Sequence, residues 1–363
     1  MTEFVRFAVT NNIGFITLDR PKALNSLSLD MIRTITATLL AWRSDEGVRT
    51  VLIHGSSERA FCAGGDIRFF HDAGRSTPQG GSALLEDFFT EEYALNHLIH
   101  HYPKPYIALM DGIVMGGGMG VAQGGASNRL RIVTERTKMA MPEVNIGLFP
   151  DVGGSYFLSR APGQLGAYLG VSGEVVGAAD ALYADLADVY VPSAQLPALV
   201  AMLQTTQAPD VRAAVRAFAA EFTEQADPAR SMLAQERAAI DRHFAHDAVT
   251  AIAASLATDA SDFAQKTLET MKKRSPLMMC ATLAQVRRGA TMSVAECLRM
   301  ERTMVRRCFE QGEVLEGIRS VVIDKDNAPK WSPATWAEVT ADMIERFFEP
   351  AWPAHAHPLR ELA

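Results

Sequence analysis

Two carboxylate residues, Glu143 and Asp151, lie eight positions apart in a largely apolar stretch of the chain. Apolar neighbours raise the pKa of a carboxyl group toward the range in which it exchanges a proton near neutral pH. The pair is therefore a candidate for acid–base or nucleophilic work. Each residue also has a structural interpretation, because Asp151 before Val-Gly-Gly-Ser suits a helix cap and Glu143 after a proline suits a first helical turn. The spacing alone leaves both interpretations open.

Glycine makes up seven of the fourteen residues from Gly112 to Gly125. The segment follows an apolar run and precedes a helical pattern, so its backbone N–H groups could approach a ligand closely. The dinucleotide-binding pattern GxGxxG fails here, because Gln123 stands where the closing glycine would follow Gly118 and Gly120. Two interpretations remain: an oxyanion hole in which an N–H polarises a carbonyl, or a tight turn with close helix packing.

A second glycine pair, Gly64-Gly65, follows the run Phe61-Cys62-Ala63 and precedes Asp66. It could supply another N–H, or it could be a plain strand-to-helix turn in which Asp66 caps the helix. A nucleophilic role for Cys62 would need an activating base. No histidine lies nearby in the sequence, so we expect a small buried side chain at this position.

Short β-rich runs alternate with helical patterns up to about residue 190, which favours α/β crossovers over a β-sandwich. Runs typical of strands lie at 4–10, 13–18, 50–54, 130–133 and 139–141. Asn11-Asn12 predicts a hairpin turn between the first two strands. Ser28 is the candidate N-cap of a helix that reaches about Trp42.

From about Gln195 onward, alanine, leucine, arginine and glutamate at helical spacing replace the glycine and β-branched runs. The chain is therefore predicted to have two domains, an α/β core with the active site over 1–194 and a mostly helical C-terminal region over 195–363. The apolar run 318–323 is compatible with a strand or with a buried helical turn.

Composition excludes several classes of protein. With 48% hydrophobic and 21% charged residues among 363, the chain is neither disordered nor fibrous. Its 35 basic and 42 acidic residues give a net charge of −7 without a polybasic run, so we expect no nucleic acid and no membrane partner. Asp111 and five glycines interrupt the longest apolar stretch, 107–122, which excludes a membrane span there.

The four cysteines show no CxxC spacing, which predicts reduced thiols and no zinc site. His97, His100 and His101 share a helical face, but a metal site would need a further ligand, so we expect a polar helix face. The N-terminus shows no targeting segment, and we therefore expect a cytoplasmic protein.

Taken together, these segments resemble the crotonase (enoyl-CoA hydratase/isomerase) superfamily over residues 5–345. Residues 20–27, Arg-Pro-Lys-Ala-Leu-Asn-Ser-Leu, look like its N-terminal acyl-CoA-binding signature. The match is closer to the 3-hydroxyisobutyryl-CoA hydrolase branch. The segments that carry this closer match are Glu91-Glu92-Tyr93, 112–118, 142–154 and 316–331. The resemblance implies an α/β fold with a spiral core of ββα units and a mostly helical C-terminal region.

The resemblance also implies roles for individual residues. The N–H groups of Gly65 and Gly117 would form an oxyanion hole around a thioester oxygen. Glu143 and Asp151 would be the two catalytic carboxylates. The substrate-binding residues that the resemblance implies are Lys22, Ala23, Ala63, Gly64, Asp66, Glu92, Gly117, Glu143 and Asp151.

Hydratases similar to this chain hold a second catalytic glutamate at the position of Gly120, and a glycine cannot shuttle a proton. The implied reaction is therefore hydrolysis of a short branched 3-hydroxyacyl-CoA thioester, most closely 3-hydroxyisobutyryl-CoA to 3-hydroxyisobutyrate and CoA in valine catabolism. Glu143 could attack the thioester or act as a general base on water, and the sequence does not choose between these routes. Arg20 and Lys22 are the candidates to hold the CoA phosphates.

The resemblance implies no metal and no organic cofactor beyond the CoA of the acyl-CoA substrate, and it allows a homo-oligomer. Two other functions fit the same residues, namely an enoyl-CoA hydratase or isomerase and an acyl-CoA-binding protein that has lost catalysis. Gly120 argues against the hydratase, although an isomerase that needs one carboxylate still fits. The presence of both Glu143 and Asp151 argues against the binding protein.

Overall fold

The computed structural model describes residues 2–77, 81–311 and 313–363. The chain divides into two compact units, each assembled from three separate segments. The first unit comprises Met1–Gly65, Leu95–Ala140 and Val175–Gln235, and the second comprises Asp66–Ala94, Met141–Glu174 and Glu236–Ala363. The division at residue 194 that the composition favours stays a prediction.

Nine strands lie within the described residues, all of them in the first unit. They are β1 (Val5–Thr10), β2 (Ile13–Leu18), β3 (Thr50–Gly55), β4 (Ala60–Cys62), β5 (Tyr106–Met110), β6 (Ile113–Met115), β7 (Arg129–Val133), β8 (Lys138–Ala140) and β9 (Val189–Tyr190). One sheet has the order β1-β2-β3-β5-β7-β9 and the other has the order β4-β6-β8. Apart from the antiparallel pair β1 and β2, the paired strands are parallel.

The described residues also form seventeen α-helices. In chain order they are α1 (Leu29–Arg43), α2 (Ile67–Ser76), α3 (Ala83–His100), α4 (Gly117–Ala122), α5 (Gly154–Ser159), α6 (Leu165–Ser172), α7 (Ala178–Tyr183), α8 (Leu196–Thr205), α9 (Val211–Ala219), α10 (Met232–Gln235), α11 (Arg237–Phe244), α12 (Val249–Ala257), α13 (Asp262–Met271), α14 (Pro276–Gly289), α15 (Val294–Gln311), α16 (Glu313–Ile318) and α17 (Ala341–Glu345). Among the parts of the chain described, no helix combines the length and the apolar character that crossing a membrane requires.

Local signals in the sequence set several of these elements. Ser28 caps α1 as predicted, since its side chain accepts from the Met31 N–H at 3.3 Å. The β1–β2 hairpin turns at Asn11 and Asn12, whose φ angles of 51° and 60° suit a tight primed turn. Past residue 195 the ordered elements are helical, which confirms the prediction from composition. The run 318–323 is also helical and not a strand: a π-helical turn over Arg319–Ile323 extends α16.

One face of the larger sheet carries the core of the first unit. Phe15, Leu52, Ile107 and Leu130 lie opposite one another in register on β2, β3, β5 and β7, and all four are buried. Because side chains alternate between the faces of a sheet, residues two positions away extend the same apolar row. Those residues are Ile13, Leu109 and Ile132, and the helices α8 and α9 cover them with Leu199, Leu203 and Val215.

The smaller sheet positions the two glycine segments. Its strands β4 and β6 are adjacent and parallel, and β4 ends at Cys62 while β6 ends at Met115. The carboxyl ends of parallel strands meet at the same edge of a sheet. Gly64-Gly65 after β4 and the start of α4 after β6 therefore lie side by side.

In the second unit, helices α5 and α6 pack against α14. A Cβ added to Gly170 of α6 would lie 3.1 Å from Cγ2 of Thr282 on α14. A Cβ added to Gly289 of α14 would lie only 2.2 Å from the carbonyl oxygen of Ser155 on α5. The glycines thus let α5 and α6 approach α14 at van der Waals distance, which places the segment that precedes α5 beside the C-terminal helices.

Candidate active site

The two glycine segments meet at the start of α4. Gly64 has a φ of +105°, and a Cβ added to it would lie 3.2 Å from the Met115 carbonyl oxygen and 3.6 Å from the Gly117 nitrogen. A Cβ added to Gly118 would lie 2.2 Å from the Cys62 carbonyl oxygen. Backbone conformation and close approach therefore require glycine at both positions, and α4 packs directly on the end of β4.

Two backbone N–H groups at this point are directed away from their own secondary structure. Gly117 is the first residue of α4, so no earlier turn of the helix offers an acceptor for its N–H. Gly65 pairs with Leu27 in a parallel bridge, in which the Leu27 N–H donates to the Gly64 carbonyl at 2.8 Å. The paired residue of a parallel bridge points its own N–H to the opposite side. Both N–H groups can therefore donate to a carbonyl oxygen of a ligand.

The segment 20–27 is hydrogen-bonded to the same turn. The Ala63 N–H donates to the Leu24 carbonyl at 3.0 Å. The side chain of Asn25, which is fully buried, donates from Nδ2 to the Ala60 carbonyl at 2.9 Å. Asn25 therefore connects the segment 20–27 to β4 by hydrogen bonds, a role that its place in the motif did not reveal.

The structure distinguishes the two candidates for the CoA phosphates. Lys22 lies in the 3-10 turn Pro21–Ala23 and is exposed. Arg20 is half-buried, its Nη1 donates to the Ser26 carbonyl at 3.2 Å, and its guanidinium lies 5.7 Å from the ring centre of Phe4. Lys22 is thus the candidate whose ammonium group is open to a phosphate.

Three carboxylates, Glu92 on α3, Glu143 and Asp151, are buried together in the second unit, with exposed fractions of 2%, 6% and 5%. Burial, and after it the charge of Asp151, raise the pKa of Glu143 well above its ordinary value. The same two effects raise the pKa of Glu92. Burial also raises the pKa of Asp151 to about 6, although a hydrogen bond from Tyr93 opposes the rise. Asp151, with a pKa of about 6, can therefore exchange a proton near neutral pH.

Two oxygen atoms of this cluster, Oε1 of Glu92 and Oε2 of Glu143, are buried with no hydrogen-bond partner among the described residues. Leaving a buried acceptor in this state costs about 1–3 kcal/mol. A folded protein tolerates that cost where a ligand or a water completes the site. The two oxygens are therefore the atoms that we expect to contact a ligand or a bound water.

Tyr93, next to Glu92 on α3, holds the third carboxylate. Its hydroxyl donates to Oδ2 of Asp151 at 2.7 Å, and the tyrosine is fully buried. Its ring packs 6.0 Å from that of Phe89, and further rings of the same cluster belong to Phe70, Phe88 and Phe309. The Asp151 side chain therefore bonds a phenol, and the N-cap position of α5 falls to Gly153.

Two side chains from the C-terminal helices hold the turn 150–155. Glu301 of α15 accepts from the N–H groups of Gly153 and Ser155, each at 2.8 Å. Gln285 of α14 donates to Oγ of Ser155 at 2.8 Å. Burial raises the pKa of Glu301 to about 8, against the lowering effect of the hydrogen bonds that it accepts. Both side chains are fully buried.

Two other residues named in the sequence analysis, Asp66 and Cys62, have structural roles. Asp66 is the N-cap of α2, where its Oδ1 accepts from the Phe69 N–H at 3.3 Å. Cys62 is buried at the end of β4, with its Sγ 3.8 Å from the Gly64 carbonyl oxygen. These are the helix cap and the small buried side chain that the sequence suggested as alternatives to a chemical role.

Comparison with known proteins decides the family. A family model described as enoyl-CoA hydratase/isomerase matches residues 13–348. The chain belongs to the enoyl-CoA hydratase/isomerase family. The resemblance to the crotonase superfamily is thereby confirmed.

Within the enoyl-CoA hydratase/isomerase family, similar curated proteins carry the name "3-hydroxyisobutyryl-CoA hydrolase, mitochondrial". The protein of Danio rerio is 41% identical over 347 residues, which cover 95% of this chain and 89% of that protein. The protein of Homo sapiens is 38% identical over 338 residues, which cover 93% and 86% of the two chains. The similarity thus extends over both compact units.

Two solved structures of the family share the fold over nearly the full chain. One is a carnitinyl-CoA dehydratase from Mycobacterium thermoresistibile, with a TM-score of 0.88 and 40% identity over 97% of this chain and 98% of that one. The other is an enoyl-CoA hydratase from Rhodobacter sphaeroides 2.4.1, with a TM-score of 0.83 and 36% identity over 96% and 98%. The predicted crotonase-type α/β fold is confirmed.

Sequence reasoning named Tyr93 only as part of a matching segment, without a role, and it missed Gln285 and Glu301. A weak signal exists for Glu301, which lies four residues from Cys297 and from Val305 on a helix, so it occupies a buried stripe. A charged residue at such a position is unusual and points to a specific partner. The identity of that partner, 146 and 148 residues away, could not be read from the helix itself.

Proposed function

We propose that this chain is an acyl-CoA thioester hydrolase that converts 3-hydroxyisobutyryl-CoA and water to 3-hydroxyisobutyrate and CoA. The observation that carries the proposal is the 38–42% identity, over nearly the whole chain, to relatives named 3-hydroxyisobutyryl-CoA hydrolase. The similar solved structures are named a dehydratase and a hydratase. Gly120, buried in α4, favours the hydrolase over these reactions because it provides no second carboxylate for addition or removal of water across a double bond.

The oxyanion is stabilised by the N–H groups of Gly65 and Gly117. They donate to the thioester carbonyl oxygen and bind it more tightly as negative charge develops on it. Loss of one such donor typically lowers the rate about 100- to 1,000-fold. The glycines at 64 and 118 support this role, since they allow the backbone to approach closely enough for both N–H groups to serve one oxygen.

Glu143 performs the central step by one of two routes. In the first, Glu143 reacts in its ionised form: its carboxylate oxygen bonds to the thioester carbon, the C–S bond breaks, and CoA leaves as a thiolate that takes up a proton from solvent. Water then cleaves the mixed anhydride and regenerates Glu143. In the second route, Glu143 removes a proton from water, whose oxygen bonds to the same carbon. The thiolate then leaves and takes up that proton, which restores the Glu143 carboxylate. Rapid acid quenching followed by mass spectrometry separates the routes, because only the first acylates Glu143.

Asp151 and Glu92 hold the attacking water and the substrate hydroxyl during this step. Asp151, held by the phenol of Tyr93, accepts a hydrogen bond from the attacking water in its ionised form. Burial and the charge of Asp151 raise the pKa of Glu92, which favours its protonated form. A protonated carboxyl group can donate as well as accept, which suits the substrate hydroxyl. The reaction consumes only thioester and water, so the proposal includes no cofactor beyond the CoA of the substrate.

The proposal is tested by following release of CoA from 3-hydroxyisobutyryl-CoA with a thiol reagent, while the ultraviolet absorbance of an unsaturated thioester is recorded on the same sample. We expect CoA release by the wild type. Glu143→Gln, which has the same shape, should lose at least about 1,000-fold in kcat with little change in substrate affinity. The exposed Glu224→Gln serves as the matched control and should match the wild type.

Two results would refute the proposed hydrolase. A change in the unsaturated-thioester signal without free CoA would assign the chain to the hydratase or isomerase reaction. Substrate binding without either signal would assign it to acyl-CoA binding alone. Full CoA release by Glu143→Gln would instead refute the role of that carboxylate.

A further inference from the structure

We propose that Glu301 is a positioning residue, which fixes the turn 150–155 and through it the carboxylate of Asp151. Glu301 lies on α15 and is fully buried. Its Oε2 accepts from the Gly153 N–H and its Oε1 accepts from the Ser155 N–H, each at 2.8 Å. Both oxygens of one carboxylate therefore bind N–H groups of a single turn.

The start of α5 needs an acceptor from outside its own segment. The first N–H groups of a helix have no partner within it, and a side chain at the N-cap usually accepts from one of them. The N-cap of α5 is Gly153, with a φ of +90° and no side chain. Glu301 supplies from α15 the acceptors that this glycine cannot offer.

The backbone directly after Asp151 is strained. Val152 is β-branched, yet its φ is +54°. Such a conformation is unfavourable for a β-branched residue and persists only where the surrounding structure fixes it. Glu301 binds the N–H of the residue that follows Val152, and Gln285 donates to the Pro150 carbonyl at 2.5 Å on the other side. The strained residue and Asp151 are thus held from both ends.

The position of the Asp151 carboxylate depends on this turn. The Gly154 N–H donates to the Asp151 carbonyl at 2.7 Å, so the backbone of Asp151 belongs to the structure that Glu301 holds. Tyr93 bonds only one of the two carboxylate oxygens. If the turn relaxed, the phenol alone would not keep the carboxylate in place. A displacement of about 1 Å at a reacting group can lower a rate about 100-fold.

This inference rests on the proposed hydrolase function, and the experiment keeps the two apart. Glu301→Gln preserves the shape of the side chain but replaces one acceptor oxygen by an NH₂ donor, so one of the two N–H groups loses its partner. We expect kcat for 3-hydroxyisobutyryl-CoA to fall about 10- to 100-fold while KM stays within about twofold. The control is Glu310→Gln on the same helix, where Glu310 forms a partly exposed ion pair with Arg307, and it should retain wild-type kinetics.

A second measurement does not depend on activity. Hydrogen–deuterium exchange of the peptide that covers 150–155 should be about tenfold faster in Glu301→Gln, with exchange in the larger sheet of the first unit unchanged. Glu301→Asp, which keeps the carboxyl group but is too short to reach both N–H groups, should show the same local effect.

The possible results distinguish failure of the proposed function from failure of the positioning role. Wild-type protein that releases no CoA would refute the proposed function, and the exchange rates would then test the positioning role alone. Exchange at 150–155 equal to that of the Glu310→Gln control would overturn the inference. So would a loss of activity in Glu301→Gln that lies entirely in KM, or exchange that increases uniformly through the protein.

Discussion

The hydroxyl of Tyr93 lies 2.7 Å from Oδ2 of Asp151, and both residues are buried. A hydrogen bond to a carboxylate favours its ionised form, whereas burial favours the neutral acid. These opposing effects leave the pKa of Asp151 at about 6, above its ordinary value but within reach of neutral pH. The phenol therefore keeps one carboxylate of the cluster available in its charged form.

Replacing this phenol should shift the pH dependence of the reaction. Tyr93→Phe removes the hydrogen bond that stabilises the ionised form, so the pKa of Asp151 rises further. We expect the acidic limb of kcat/KM to move to higher pH by about one unit. The matched control is Tyr102→Phe, a buried tyrosine of the first unit whose hydroxyl donates to the Leu39 carbonyl at 2.9 Å. An acidic limb that stays in place in Tyr93→Phe would exclude an ionised Asp151 from the rate-limiting chemistry.

A side chain at Gly64 should damage the oxyanion hole. Gly64→Ala places a Cβ 3.2 Å from the Met115 carbonyl at a φ of +105°, so the turn must shift away from Gly117. We expect kcat/KM to fall about 100-fold or more, with CoA still bound. Gly177→Ala is the matched control, because a Cβ there meets nothing within 4 Å and its φ of −94° suits alanine. Comparable activity of the two alanine variants would contradict the assignment of these N–H groups.

Lys22 should contribute to substrate affinity and not to the chemical step. Lys22→Ala removes an exposed ammonium group, so we expect KM for the CoA thioester to rise about three- to tenfold at low salt, with kcat unchanged. The effect should vanish with an N-acetylcysteamine thioester, which carries no phosphates. Lys266→Ala, an exposed lysine of α13, is the control. Equal losses with both substrates would mean that Lys22 does not contact the CoA phosphates.

The buried carboxyl group of Glu313 should make the free energy of unfolding depend on pH. Both of its oxygens are buried, and burial raises the pKa of Glu313 from 4.5 to about 7, against a lowering effect from the nearby Ser275 hydroxyl. The folded state therefore retains a proton that the unfolded state releases. The stability from this proton is fully present below pH 4.5 and is lost as the pH rises through 7.

Glu313→Gln, which cannot ionise, should remove this loss. Between pH 5 and pH 8, the free energy of unfolding of the wild type should fall by about 2–3 kcal/mol relative to the variant, measured by urea titration. Glu269→Gln is the control, because Glu269 is exposed and Lys272 lowers its pKa, so the relative change should have the opposite sign and be small. Parallel pH profiles for the wild type and Glu313→Gln would contradict a raised pKa of Glu313 in the folded state.

The sequence alone revealed those features that depend on neighbouring residues. Asn11-Asn12 predicts its hairpin turn because asparagine tolerates positive φ, and Ser28 predicts the start of α1 because its hydroxyl reaches an N–H three residues away. The glycine pair at 64 and 65 and the carboxylates Glu143 and Asp151 stood out in the same way. Residue type and spacing suffice for such signals, since turns, caps and close backbone approaches are local.

The tertiary structure decided which distant groups complete these local features. Tyr93 meets Asp151 across 58 residues, and Glu301 meets the turn 150–155 from almost 150 residues further along the chain. Neither contact follows from helical periodicity, because the pattern predicts a buried face but not its partner. The pKa shifts of the cluster have the same origin, since they depend on burial and on charges brought together by folding. The sequence thus determined the family and the candidate groups, whereas three-dimensional packing set their protonation and orientation.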